Sequence, residues 1–330
     1  MHAAQLVGPG RFAVVQVDEP EPGPGEVLVA MARASICGSD LHAVDAGASP
    51  PSRLAPGAPG HEGVGTVVVS RAEGFSPGDQ VLTAPLPGAG RCFADYQVVG
   101  GSYLVHLPDG GDLSRLLLAQ QLGTAVFGFR RYWPDGHDAA GATAAILGAG
   151  SAGLLLLQLA RLAGFARTVV CDLEASRLEV ARALGADVVV RAPGEPFVEA
   201  VLAATGGQGA QLVVEATGRD EGRSDAVEAT CYGGRVGCFG LPEGADPAPF
   251  PFARAFRRAC TLVMAGQAQL EPGLVAFNEA VGLIASGKVD VGHLLEPAFP
   301  LIEFPAAFAA ARERRGVKVS VVLPGASGQP

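Results

Sequence analysis

The chain has 330 residues, enough at roughly 150 per domain for two domains with cores of their own. Hydrophobic residues make up 48% of it and charged residues 17%, which excludes a chain kept disordered for want of surface to bury. With 24 Lys and Arg against 33 Asp and Glu the formal charge is −9. That field repels phosphate backbones and anionic lipid, so no nucleic acid and no membrane is expected as a partner.

The six cysteines, Cys37, Cys92, Cys171, Cys231, Cys238 and Cys260, include no CxxC pair, and a chain of this size needs no disulfide staples; a reducing cytoplasm fits them. MHAAQLVGPGRF at the N-terminus lacks a basic region followed by an apolar stretch, so neither a secretion signal nor a transit peptide is read there. From Val27 to Val105 short Val-rich runs predict strands, EVLVAMARAS, GVGTVVVS, DQVLTA and DYQVVG, punctuated by the turn sequences PGPGE, GFSPGD and PLPGAG. A helix is predicted over LLLAQQLGTAVFGFRRYW. After it, strands (ATAAIL, RTVVCD, ADVVV, AQLVVEA, GGRVGCFG, CTLVMAG) alternate with helices (AGLLLLQLARLAG, EASRLEVARALG, EPFVEAVLAAT) in the rhythm of a parallel sheet. Ala139 to Ala160 carries no charge and reaches the length of a membrane span, but Gly141, Gly148, Gly150 and Gly153 divide it into a buried strand, a turn and a helix start. Two further helices, near Gly273–Ser286 and Pro305–Arg314, and a strand VKVSVVLP close the chain; the tail Pro324 to Pro330 is expected to lack structure.

The strand ending at Leu147, the loop GAGSAG and the apolar helix after it form an arrangement that binds a dinucleotide. Gly148 permits the tight turn, Gly150 lets backbone approach a pyrophosphate, and Gly153 lets helix and strand pack closely. The amides of Ser151 and Ala152 at the helix start then face the anion. The next strand ends at Asp172, about twenty residues on, where a carboxylate accepts from the ribose hydroxyls and repels a 2′-phosphate, favouring NAD over NADP. Arg177 nearby works against that selectivity, or is a solvated helix charge. The bland alternative is a domain of this shape that binds no nucleotide.

Reactive side chains concentrate in two stretches, Cys37-Gly38-Ser39-Asp40-Leu41-His42 and Gly60-His61-Glu62-Gly63. Thiolate and imidazole are ligands zinc prefers, and a catalytic zinc needs three protein ligands and one open position. Taken alone, an isolated cysteine and an isolated histidine read equally as core or surface residues.

ICGSDLH, PGHEGVG, GAGSAG and VVEATG, in this order and spacing, resemble the medium-chain dehydrogenase/reductase superfamily, especially its zinc-dependent alcohol and polyol dehydrogenases, over nearly the whole chain. The resemblance implies an α/β fold, a Rossmann doubly wound parallel sheet (122–266) inserted in a GroES-like β-rich catalytic domain (1–121 and 267–330), with the active site in the cleft between them. It implies Cys37 and His61 as catalytic zinc ligands and Glu62 as a ligand of the outer or alternate kind. Ser39 is the hydroxyl touching the substrate oxygen, Asp40 the orienting carboxylate, and His42 the group passing a proton to solvent. Two departures stand out. The four-cysteine lobe of a structural zinc belongs between Val81 and Tyr96, where only Cys92 occurs, so no structural zinc is expected. Gln120 stands where polyol-type members place a glutamate ligand, and a neutral amide is a weak zinc ligand. Glu62 or a water then completes the shell, the metal binds loosely, or zinc has been discarded; the joint occurrence of Cys37, Ser39, Asp40, His61 and Glu62 favours zinc.

The expected function is NAD-dependent interconversion of a secondary alcohol, polyol or cyclitol hydroxyl and its ketone. The alternatives are a zinc-independent reductase of a carbonyl or activated alkene, and a non-catalytic nucleotide-binding protein. The partner is a small-molecule alcohol or ketone, and the edge strand CTLVMAG, by the same resemblance, pairs with its twin in a homodimer or homotetramer. His106 and His293 read as structural, and Arg130 and Arg131 as helix-end charges.

Overall fold

A hairpin opens the chain, β1 (His2–Gly8) paired antiparallel with β2 (Arg11–Gln16) about the turn at Pro9 and Gly10. The strand pattern expected from the sequence begins only at Val27, so this hairpin is an addition to it. There follow β3 (Glu26–Ile36), the short helix α1 (Gly38–Asp45), β4 (Glu62–Ser70), β5 (Gln80–Thr83), β6 (Tyr96–Gly100) and β7 (Leu104–His106). The helix expected from Leu116 is two: α2 (Leu113–Leu116), capped where Asp112 Oδ1 accepts from Ser114 N at 2.9 Å, then a turn through Leu117 and Leu118, then α3 (Ala119–Tyr132). The computed structural model describes residues 1–45, 54–194, 196–242, 248–294 and 296–327. The chain divides into two units, Met1–Thr124 with Gln267–Pro330, and Ala125–Gly266.

In the second unit β8 (Thr143–Leu147), α4 (Ser151–Leu162), β9 (Arg167–Asp172), α5 (Ala175–Ala183), β10 (Val188–Arg191), α6 (Phe197–Ala204), β11 (Ala210–Glu215), α7 (Asp220–Ala229), β12 (Thr230–Cys238), α8 (Phe252–Arg257) and β13 (Thr261–Met264) alternate. Every strand pair is parallel, in the order β10-β9-β8-β11-β12-β13. The chain winds outward from β8 in one direction and, after β10, from β11 in the other, which is the Rossmann order, with its ligand crevice where the winding reverses, at the carboxyl ends of β8 and β11. Buried on both faces, these strands are runs of Val, Ala and Ile rather than alternating patterns. Within α7, for which the sequence carries no clear helical signal, a Cβ at Gly222 would meet Thr217 Oγ1 and Glu215 Oε1.

The chain then returns to the first unit with α9 (Val275–Ala285), β14 (Ala298–Pro300), α10 (Phe304–Arg312) and β15 (Val319–Val322). Among the described residues seven strands form its second sheet, ordered β14-β15-β3-β4-β5-β7 with β6 also on β3, antiparallel except for β14 with β15. Its core is aromatic at one end: Phe304 of α10 lies 4.9 Å from Phe12 and 4.7 Å from Phe93 between ring centres. The tail expected to lack structure is in part ordered: Pro324–Ser327 form a 3-10 turn against β3, while 328–330 lie outside the described residues. No helix among the described residues is long and apolar enough to cross a membrane, and Ala139–Ala160 is the strand, turn and helix expected of it.

Candidate metal and nucleotide sites

Sheet register assembles the first site. Ser35 pairs with Glu62 across β3 and β4, and with Ser320 across β3 and β15. The end of β3 and the starts of β4 and β15 therefore lie on one rim. The residues just beyond those ends are Cys37, His61 and Lys318, which are far apart in sequence.

Each is fixed by local chemistry. After β3 the chain turns at once into α1, whose first turn carries Asp40, 1% exposed; Asp40 Oδ2 accepts from Cys37 N at 2.9 Å and so closes the turn that presents the thiol. Its other oxygen, Oδ1, stands 3.0 Å from His61 Nδ1. A carboxylate holding Nδ1 leaves Nε2 for a metal, the usual support of a ligating imidazole. The loop 89–93 backs the histidine closely enough that a Cβ at Gly90 would meet His61 Cβ at 2.7 Å. Within that loop Cys92, fully buried, donates its S–H to the Glu62 carbonyl at 3.3 Å. Ser39 Oγ lies 3.5 Å from His61 Nε2, and His42 is half-buried on α1.

Glu62 is 1% exposed and both its oxygens are engaged. Lys318 Nζ lies 2.9 Å from Oε1 and 2.6 Å from Oε2, and Ser35 Oγ donates to Oε2. Burial works against its charge, but Lys318, His61 and Ser35 outweigh burial and hold its carboxyl below the usual range. Burial likewise opposes the ammonium of Lys318, and Glu62, Cys37 and Asp40 raise it above the usual lysine value. For His61, burial is outweighed by Asp40 and then by Cys37, so the ring titrates well above the ordinary histidine range. A cation at Nε2 therefore competes with a proton.

Cys37 Sγ, a His61 ring nitrogen and a Glu62 carboxylate oxygen lie within 4.8 Å of one another, the one such group of His, Cys, Asp and Glu among the described residues. Thiolate, imidazole and carboxylate in that compass are a donor set zinc accepts. Cys37, Ser39, Asp40, His61 and Glu62 are thus drawn together, and Gln120 lies buried near the start of α3 with its Nε2 unpartnered. Lys318 and Ser35 escaped the sequence reading. The only signal for Lys318 was a lone charge at the head of the strand run VKVSVVLP.

The second site is made of backbone. Gly148 has φ +98°, and a Cβ on Gly153 would sit 1.7 Å from Gly148 O, so strand-end and helix can approach only with hydrogen there. At Gly150 an added Cβ meets nothing within 4 Å, which leaves the space a pyrophosphate needs. Gly150 caps α4 with no side chain, so the amides of the first turn, from Ser151 and Ala152 on, have no side-chain acceptor at the cap. Asp172, at the end of β9, accepts from Ala149 N at 2.6 Å through Oδ2 and from Glu174 N at 2.9 Å through Oδ1, which ties the strand end to the glycine loop. A carboxylate oxygen accepts more than one such bond. Arg177 lies in the first turn of α5. The residues present fit a dinucleotide.

Other sequence-marked residues serve the fold. His106 stacks on Phe75 and meets Gly74 O at 2.9 Å through Nε2, His293 pairs with Asp290 at 3.5 Å, and Arg131 lies over the Phe127 ring near the end of α3. Glu215, buried at the end of β11, accepts from Thr217 N at 2.6 Å and Gly218 N at 3.0 Å, shaping the loop of VVEATG.

Comparison with known proteins agrees with this anatomy. Residues 23–117 match the alcohol dehydrogenase GroES-like domain and residues 152–277 the zinc-binding dehydrogenase domain. The chain is similar to a probable zinc-binding alcohol dehydrogenase of Mycobacterium tuberculosis, 31% identical across 98% of this chain and 88% of the relative. It is 28% identical to the sorbitol dehydrogenase of Ovis aries, across 95% of this chain and 94% of that one. Among solved structures, the alcohol dehydrogenase of Thermus sp. ATN1 superposes with a TM-score of 0.85 at 28% identity, covering 98% and 100% of the two chains.

Proposed function

Because the chain belongs to the zinc-binding alcohol dehydrogenases of the medium-chain dehydrogenase/reductase superfamily, we propose that it interconverts a secondary alcohol, polyol or cyclitol hydroxyl and its ketone with NAD and one catalytic zinc. The observation carrying this reading is the approach of Cys37, His61 and Glu62 to within 4.8 Å from two separate segments. Cys37 Sγ and His61 Nε2 would hold the ion, with Glu62 as an alternate ligand whose oxygens Lys318 and Ser35 engage, and Gln120 as the neutral residue at the place expected of the third ligand. Bound there, zinc supplies a Lewis acid for a hydroxyl or carbonyl oxygen, and the dinucleotide supplies the two-electron acceptor or donor.

The chain's own residues manage the proton and the geometry. Ser39 Oγ, 3.5 Å from His61 Nε2, is beside the ligand set and takes the proton of the substrate hydroxyl. His42, half-buried on the same helix, passes it to solvent. Asp40 holds His61 in the tautomer that leaves Nε2 free and, through Cys37 N, fixes the thiol. On the α4 side, Gly148, Gly150 and Gly153 admit the pyrophosphate, the Ser151 and Ala152 amides face it, and Asp172 selects NAD over NADP; Arg177 beside it sets how strict that choice is. The open edge of β13, where Met264 is 60% exposed, supports a homodimer, alone or within a tetramer.

Protein purified without chelator should carry zinc and reduce NAD with a secondary alcohol or polyol from a broad panel. Turnover that survives complete removal of metal would favour the zinc-independent reductase, the reading motivated by Gln120 and by the missing four-cysteine lobe. NADH binding without turnover on any alcohol or ketone would favour the non-catalytic one.

A further inference from the structure

Lys318 has no part in the reaction as proposed, yet its ammonium is buried beside the ligand set, 4% exposed, and 256 residues from the glutamate it pairs with. A buried ammonium persists only where its charge is answered, and it is answered here by both oxygens of Glu62. Cys37 as thiolate, Asp40 and Glu62 bring three negative charges to the rim. A divalent cation together with Lys318 brings three positive ones, with His61 neutral as a ligand. Without Lys318 the site would hold an excess anion, and only the neutral hydroxyl of Ser35 would remain to compete with the metal for the Glu62 oxygens.

We infer that Lys318 is a positioning residue, which with Ser35 holds the Glu62 carboxylate back so that it does not close the coordination position a substrate oxygen must enter. The inference rests on the zinc reading above. The side chain is a charged tether: Nζ contacts both oxygens, Ser35 Oγ fixes Oε2 from the next strand, and the register of β15, β3 and β4 sets the reach of both. Released from Lys318, Glu62 becomes a full ligand of any cation held by Cys37 and His61, and an incoming neutral ligand must displace it.

The test uses the full chain loaded with Co²⁺ in place of zinc, whose visible bands report coordination, titrated with imidazole as the incoming ligand. In the parent protein a thiolate-to-cobalt band that disappears in Cys37→Ala reports the metal site. Lys318→Met should require about tenfold or more imidazole for the same spectral change, the order expected when a charged contact is lost. Lys318→Arg should restore most of the response, and Lys318→Met combined with Glu62→Gln should restore it as well, because the released carboxylate is gone. If Lys318→Met is too unstable to purify, Ser35→Ala should shift the titration in the same direction by about tenfold, the lower end for one hydrogen bond to a charged group. An unchanged titration in Lys318→Met, or in Ser35→Ala where it stands in, overturns the inference while leaving the zinc reading intact. A defect that persists in the Glu62→Gln background does the same, since the effect then does not pass through Glu62. Absence of the thiolate band in the parent protein overturns the zinc reading, and this inference with it.

Discussion

The two candidate sites are built on opposite principles. The candidate nucleotide loop is contiguous and made of main chain: six residues from Gly148 to Gly153, a glycine turn at positive φ and a row of amides, with one carboxylate at the end of the neighbouring strand. The candidate metal site is made of side chains from three strand ends and α1, held in two pairs, Asp40 with His61 and the buried ion pair of Glu62 with Lys318. The first tolerates changes of side chain wherever backbone shape survives. The second tolerates almost none, because removing one partner of a buried pair leaves the other unanswered at about 3–5 kcal/mol.

The sharpest way to break this contrast is at Cys37. Cys37→Ala should lose bound zinc and lower kcat roughly a thousandfold or more, since a Lewis acid is worth several kcal/mol at the transition state, while leaving NADH affinity in a fluorescence titration unchanged. Loss of NADH binding as well would mean the two sites are not separable. The corresponding blow to the loop is Gly153→Ala, whose methyl would stand 1.7 Å from Gly148 O. Calorimetry should show destabilisation of about 1–3 kcal/mol or more, with NADH binding weakened and zinc content retained.

A smaller effect separates chemistry from shape within the loop. Asp172→Ser keeps a short polar side chain but removes the charge, and should lower the ratio of kcat/KM for NAD to that for NADP by about 10- to 100-fold, the worth of one or two hydrogen bonds to a charged group. An unchanged ratio would make Asp172 a loop anchor through Ala149 N and no more. The smallest effect belongs to a pair outside both sites. Asp290 has its carboxyl held below the usual range by the Gly292 amide, and then, against burial, by Arg115 at 3.2 Å and His293. Its folded value is the lower one, so its contribution is present at neutral pH and lost as pH falls through that value. Being half exposed, it should be worth under about 1 kcal/mol. Asp290→Asn should therefore lower stability slightly at pH 7 and leave it the same as the parent in strong acid, with metal content unaffected.

How much of this was legible in the sequence follows the same contrast. Loop, strand and helix around GAGSAG could be read because their signals are local: glycine where φ is positive or atoms touch, and an apolar run on each side. Cys37, Asp40, His61 and Glu62 could be marked as residue types, but what each does depends on strand register that no local pattern encodes. Glu62 illustrates the difference. In sequence it is a carboxylate next to a histidine, whereas its oxygens are engaged by Ser35 from the adjacent strand and Lys318 from the far end of the fold. The first hairpin is illegible for a simpler reason: HAAQLVG and RFAVVQ lack strict apolar–polar alternation, and only the Pro9-Gly10 turn between them marks a hairpin.

The insertion of the α/β unit between β7 and α9 has a consequence for biogenesis. Of the parts of the candidate metal centre, Cys37, Asp40, His61 and Glu62 leave the ribosome early, and Lys318 is synthesised 256 residues after Glu62. At about 5–20 residues per second that interval is roughly 10–50 s. If the metal reading holds, a nascent polypeptide would for that time present a thiol and two carboxylates without the Lys318 ammonium that pairs with Glu62, and the closing strand would complete the centre.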